Sequence, residues 1–170
     1  MKVKDLMIPV AECPRVSVDR SIYDAIVMLE ANRDRFKLAD YRPRVLLVED
    51  ERFRIIGSVR HSDMLKALLG SSKIIGSEDL SMDDQIKVCR DGFDRAYFKA
   101  KEIRMKSIVR IPSEIEFIDQ DASLEEGACR LLSGSYLHLF AQSQDTVTGI
   151  IRLSDLFSSL CHDVKMAGPR

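Results

Sequence analysis

Two short stretches carry the residue types best suited to hold a small charged ligand. Gly149-Ile150-Ile151-Arg152-Leu153-Ser154-Asp155-Leu156 sets an arginine and an aspartate three residues apart, behind a glycine and an apolar run. Gly57-Ser58-Val59-Arg60-His61-Ser62-Asp63-Met64 repeats the Gly, apolar, Arg, Ser and Asp at the same internal spacing, 92 residues earlier. An aspartate carboxylate has two acceptor oxygens, which suits the two donors of a vicinal diol such as a ribose. Arg60 and Arg152 at the same points can hold a phosphate through paired N–H bonds. A helix that starts there adds unpaired backbone N–H groups and the positive end of its dipole, an anion site. The structural alternative is that Asp63 and Asp155 are first-turn acids favoured by the dipole alone.

Both stretches read as a buried strand that meets a helix at a polar corner, and the flanking sequence supplies the other elements. In the first copy Arg15-Val16-Ser17-Val18 alternates as a strand does. Ser21-Ile22-Tyr23-Asp24 is a capping box that opens a helix over residues 22–33. A polar connection follows, and Val45 to Val48 is a continuous apolar run, the pattern of a strand covered on both faces. Arg54 to Val59 returns as its partner, and a helix over 62–69 stops at Gly70. In the second copy Met105 to Val109 echoes Val3 to Met7 at an offset of 102 residues, and Ser123 to Glu126 repeats the capping box at that offset. A helix over 124–133, strands at His138 to Ala141 and Val147 to Ile151, and a helix from Ser154 complete the copy. The offset falls from 102 to 92 because the second copy lacks a stretch matching the polar connection of the first. The order β-α-β-β-α appears twice. Each copy is too small to bury its sheet alone, so the pair is expected to pack as one α/β (α+β) pseudo-two-fold module.

Composition narrows the class. Apolar residues at 45% and charged residues at 31% describe a globular chain able to build a core. A net charge of −1 argues against DNA or any extended nucleic-acid backbone as the partner. No apolar run is long enough to span a bilayer, and the N-terminus lacks the apolar core of a secretory signal, so a cytoplasmic location is expected. Cys13, Cys89, Cys129 and Cys161 form no CxxC pair and read as buried thiols in a reducing compartment. His61-Ser62-Asp63 contains catalytic residue types, but sequence neighbours do not aim at one another. Cys161-His162 lacks a second ligand pair for zinc, and there is neither a P-loop nor a GxGxxG. No enzyme activity is expected. His138 is expected half-buried on its strand.

Between the copies, Ser81-Met82-Asp83-Asp84 opens a further helix, expected over 82–103. Ile86, Cys89, Phe93, Ala96, Ala100 and Ile103 draw an apolar stripe along it, opposite Lys87, Arg90, Arg95, Lys99 and Lys101. The stripe is expected to dock on the module or to meet a partner. In chain order the boundaries are 1–70 for the first copy, 71–103 for the linker, 104–164 for the second copy and 165–170 for a tail.

The ordered set, present twice, resembles a tandem pair of CBS domains, the regulatory modules named after cystathionine β-synthase. Val3 to Met7 and Met105 to Val109 match the family's V-x-D-h-M lead-in, and the capped first helices, apolar second strands and corner Asp63 and Asp155 match as well. The resemblance implies an adenine-nucleotide or other adenosyl sensor for AMP, ADP, ATP or S-adenosylmethionine, with ligand clefts between the copies. It assigns the corner aspartates to the ribose hydroxyls and the adenine to backbone near Val16 and Ser17, or near Ile118 and Asp119. It assigns the phosphates to residues entering the second strand, Arg44 and Leu137. It also implies a homodimer and a regulated partner protein. One departure stands out: where the family has Ser or Thr, this chain has Arg60 and Arg152. Either the arginines recruit a larger phosphate chain, or they fold onto Asp63 and Asp155 and close the clefts, leaving a structural interaction module.

Overall fold

The computed structural model describes residues 1–31, 45–70 and 78–166. After a two-residue strand β1 (Ile8–Pro9), the first copy runs β2 (Arg15–Ser17), α1 (Ile22–Ala31), β3 (Val45–Glu49), β4 (Ile55–Arg60) and α2 (His61–Leu69). Helix α3 (Met82–Glu102) follows, and the second copy runs β5 (Phe117–Asp119), α4 (Leu124–Ser133), β6 (His138–Ser143), β7 (Thr146–Arg152) and α5 (Leu153–Met166). The expected β-α-β-β-α order holds in both copies. Local chemistry explains the starts of the helices. Ser21 Oγ accepts from Asp24 N at 3.1 Å while Asp24 accepts from Ser21 N at 3.0 Å, a reciprocal capping box. Ser123 Oγ caps α4 by accepting from Glu126 N at 3.1 Å, and Ser81 Oγ caps α3 by accepting from Asp84 N at 3.2 Å. Val45 to Val48 are all buried, as a run without alternation requires.

The chain divides into two compact units, residues 14–111 and residues 1–13 with 112–170. These limits differ from the chain-order boundaries at 70 and 104. The cause is a reciprocal exchange of the lead-in segments. Val3 N donates to Ala122 O at 2.9 Å and Lys4 N to Gln120 O at 2.8 Å, so the first lead-in closes the second copy. Met105 N donates to Arg20 O at 2.8 Å and Lys106 N to Val18 O at 2.9 Å, so the second lead-in closes the first copy by the same bonds at the repeat offset. The side chains follow. Met105 is buried with Val16, Ile22, Leu46, Val59 and Met64 in one core, and Val3 is buried with Ile118, Leu131, Leu139 and Ile151 in the other.

The sheets show the same exchange. In the unit 14–111 the order is β2-β3-β4, with β2 parallel and β4 antiparallel to β3. The far edge of β4 meets Arg110, whose N donates to Ser58 O at 2.9 Å while its O accepts from Ser58 N at 3.1 Å. In the other unit the order is β5-β6-β7-β1, and Ile8 and Pro9 pair antiparallel with Ile150 and Gly149. This approach explains why a glycine stands at the same place in both copies. A Cβ at Gly149 would lie 2.5 Å from the Ile8 carbonyl oxygen, and one at Gly57 would press on the Arg110 carbonyl oxygen as hard. Neither obstacle is a side chain that can swing away.

Helix α3 docks on a different face from the one its large apolar residues mark. Gly92 and Ala100 are buried and Ala96 is half-buried, whereas Ile86 is 47% and Phe93 66% exposed. At Gly92 the backbone of Leu69, the last residue of α2, lies where a side chain would be. Gly92, Ala96 and Ala100 recur every four residues and let the helices approach closely; Ala96 and Ala100 belong to the expected stripe, and Gly92 joins them where Phe93 turns away. Lys99, placed on the solvated face by sequence, donates its ammonium to Leu68 O at 3.0 Å.

Gly57→Ala and Gly149→Ala are each expected to lower unfolding stability by about 1–3 kcal/mol through overpacking, measured by urea denaturation. Gly127→Ala is the control. Its Cβ would meet only ordinary contacts, the nearest 3.7 Å away, and a helical Gly→Ala change should be neutral or stabilise by about 0.5–1 kcal/mol. Equal losses at all three positions would contradict the clamp.

Candidate functional site

Strand β4 ends at Arg60 and α2 begins at His61, so the corner is the junction itself. Asp63, third in the helix, accepts from Arg60 N at 2.9 Å and thereby closes the first turn. Its two oxygens also accept from Arg60 Nε and Nη2, each at 3.1 Å. The second copy builds the same pair: Arg152 Nε donates to Asp155 Oδ2 at 2.7 Å, and Nη2 donates to Oδ1. Of the two arrangements left open by the sequence, the arginine lying on the aspartate is the one observed, in both copies. The corners differ in solvent access. The Arg60 side chain is 41% exposed and that of Arg152 22%, while Asp63 and Asp155 are 18% and 16% exposed. Partial burial pushes the Asp63 carboxyl up, but the hydrogen bonds and positive charge of Arg60 outweigh it and hold the group below the ordinary carboxylate range.

The remaining candidates fall into three groups. Leu137 does reach its corner, since its carbonyl accepts from Leu153 N, the first helical residue after Arg152, at 3.1 Å. Val16, Ser17, Ile118 and Asp119 do not reach the corner of their own unit. Val16 pairs with Val48 near one end of β3, whereas Arg60 pairs with Val45 at the other, about 10 Å further along the strand. Ile118 with Ala141 and His138 with Arg152 repeat that separation in the second copy. Val16 and Ile118 bury their side chains in the two cores, so only their backbone can face a ligand. Ser17 Oγ accepts from Asp19 N at 3.4 Å, and Asp119 Oδ1 accepts from Asp121 N at 2.7 Å, both as local turns. Arg44 lies outside the described residues.

Two sequence expectations change. Only Cys13 of the four cysteines is buried; Cys129 is exposed, and Cys89 and Cys161 are partly so, because they sit on helix faces turned toward solvent. His138, expected half-buried, is 5% exposed, stands directly across the sheet from Arg152 and packs edge-on against Phe140. That neighbourhood depends on strand register, which the sequence does not print. Among the described residues no helix is long and apolar enough to cross a membrane, and no group of three or more His, Cys, Asp or Glu is gathered as for a metal ion.

Residues 3–70 match the family model of the CBS domain. A CBS domain-containing protein of unknown function from Bacillus anthracis superposes with a TM-score of 0.65 at 15% identity, covering 95% of this chain and 94% of its own. CBSX2 in complex with AMP gives 0.62 at 18% identity, covering 95% and 97%. The CBS domain of the bacterial CNNM/CorC family Mg2+ transporter in complex with ATP gives 0.63 at 13% identity, covering 95% and 87%. No curated protein matches the sequence. The match to the CBS domain thus covers residues 3–70, and the fold of the chain is that of CBS-domain-containing proteins, α+β.

Because the Asp63 carboxyl titrates below its ordinary range, the stability it contributes is present above that range and is lost as pH falls through the lowered value. Asp63→Asn should therefore cost about 1 kcal/mol at pH 7, the scale of a cap and a half-exposed ion pair. The difference from wild type should shrink as urea denaturation is repeated below about pH 4. A gap independent of pH would contradict the charge-based account.

Proposed function

We propose that the chain is a regulatory module that binds an adenine nucleotide at its strand-to-helix corners, Asp63 and Asp155 receiving the ribose hydroxyls. The observation that supports this most is the pairing, in both copies, of a carboxylate with a guanidinium at the start of a helix, groups chemically suited to a diol and to a phosphate. Relatives of the same fold captured with AMP and with ATP support the ligand class. The ligand acts by population shift: it favours whichever conformation it binds more tightly, and only that difference in affinity transmits a signal. A partner protein, or a second copy of the chain, receives that signal. Exposed Tyr23, Ile26 and Val27 on α1, and exposed Phe157, Leu160 and Val164 on α5, offer apolar faces for a homodimer. The module performs no chemistry on the nucleotide, and its setting is cytoplasmic.

One observation favours a second reading. Each guanidinium already occupies both oxygens of its carboxylate, as a module with closed sites and a purely structural role would require.

Thermal denaturation with millimolar AMP, ADP, ATP or S-adenosylmethionine separates the two. Under the nucleotide reading at least one compound raises the melting temperature by mass action, about 2.7 kcal/mol of stabilisation at a hundredfold excess over Kd. Asp155→Ala and Asp63→Ala should each remove part of it. Sedimentation velocity on the same samples reads the dimer. No response to any of the four compounds would leave the structural reading standing, and a monomer at all concentrations would remove the dimer.

A further inference from the structure

The two arginine–aspartate pairs carry a consequence for which adenosine compounds can enter. We infer that Arg60 and Arg152 determine specificity by admitting adenosine only when it carries a phosphate. This rests on the adenine-nucleotide reading above and names the ligand class within it. A ribose diol that approaches Asp63 meets oxygens engaged by Arg60 Nε and Nη2 and by Arg60 N, and at Asp155 it meets oxygens engaged by Arg152 Nε and Nη2. Neutral hydroxyls donate weaker bonds than a guanidinium does, so a bare nucleoside that displaces the arginine loses more than it gains. Displacing the guanidinium also forfeits an ion pair whose carboxylate is less than a fifth exposed.

A phosphate changes this balance. It offers the guanidinium a bidentate anionic acceptor in place of the carboxylate, and the carboxylate is released to take the diol. Each charged group exchanges one set of bonds for another, and the anion lies beside the first N–H groups of the helix. S-adenosylmethionine has a cationic sulfonium where the 5′-phosphate would be, which repels the guanidinium, and its one anion, the α-carboxylate, lies several bonds further out, so it falls with adenosine. The family pattern of Ser or Thr at this point imposes no such condition, because a hydroxyl does not cover both oxygens of the carboxylate. Arg152 is more buried than Arg60, so the second corner should discriminate more sharply than the first.

Isothermal titration of the full chain with adenosine, AMP and S-adenosylmethionine tests this. Wild type should bind AMP roughly tenfold or more tightly than either phosphate-free compound. In Arg60→Ala/Arg152→Ala, checked to be folded by its thermal midpoint, adenosine should bind roughly tenfold more tightly than in wild type and the preference for AMP should collapse. Arg60→Lys/Arg152→Lys keeps the charge but cannot cover both oxygens, so the gain in adenosine affinity should persist while some preference for AMP returns. Equal affinity of wild type for adenosine and AMP, or a folded double variant whose adenosine affinity is unchanged, overturns the inference while leaving the nucleotide site in place. Absence of binding by all three compounds to wild type and both variants overturns the nucleotide reading, and the inference with it.

Discussion

The tight crossing of each lead-in over the opposite copy's last strand constrains the rest of this structure. Arg110 bonds to Ser58 and Ile8 pairs with Ile150, in each case on the strand that ends at the corner arginine. Each of these strands is therefore held along both edges, by its hairpin partner on one side and by the exchanged segment on the other. Gly57 and Gly149 make that possible, since any side chain there would meet a carbonyl oxygen. Both glycines stand three residues before the corner arginine, so the clamp that closes the sheet also fixes where Arg60 and Arg152 emerge. The lead-ins bring a core residue with them, Met105 to one unit and Val3 to the other, which ties the clamp to burial of apolar surface.

Once the strand end is fixed, the arginine needs little further help to find its aspartate. Arg60 is the residue before the helix and Asp63 the third within it, a spacing that brings the acid back over the first turn. The carboxylate thus has two structural duties, closing the turn and neutralising the guanidinium, and neither requires a ligand. A nucleotide would recruit a pair that already contributes to folding, and the greater exposure of Arg60 marks the first corner as the easier one to open. This dual use explains how one arrangement suits both a binding site and a closed structural corner.

Much of this was legible in the sequence, for identifiable reasons. The capping boxes at Ser21, Ser81 and Ser123 fixed helix starts to within a residue because their chemistry is local. The unbroken apolar run Val45 to Val48 marked a buried strand because no alternation was needed. The repeat offset identified two equivalent copies but not the swap of their lead-ins, because an offset of 102 is the same whichever copy each lead-in joins. Along α3 the stripe was right at Ala96, Ala100 and Ile103 but wrong at Phe93 and Ile86, which lie in solvent, and it left out Gly92, whose lack of a side chain gives no apolar signal. At the site, the departure to arginine was visible but its direction was not, since the side chain's choice between phosphate and carboxylate depends on three-dimensional reach. The distance of Val16 and Ser17 from the Arg60 corner depended on register, as did the place of His138 across from Arg152.

The most direct test of the central claim, that these corners are nucleotide sites guarded by their own arginines, is a crystal structure of the chain grown with AMP. The account predicts electron density for the ribose against Asp155 or Asp63, with the neighbouring guanidinium moved from the carboxylate onto the phosphate. AMP bound with its ribose away from both aspartates, or crystals from saturating AMP in which both pairs stay closed and no nucleotide is present, would contradict it.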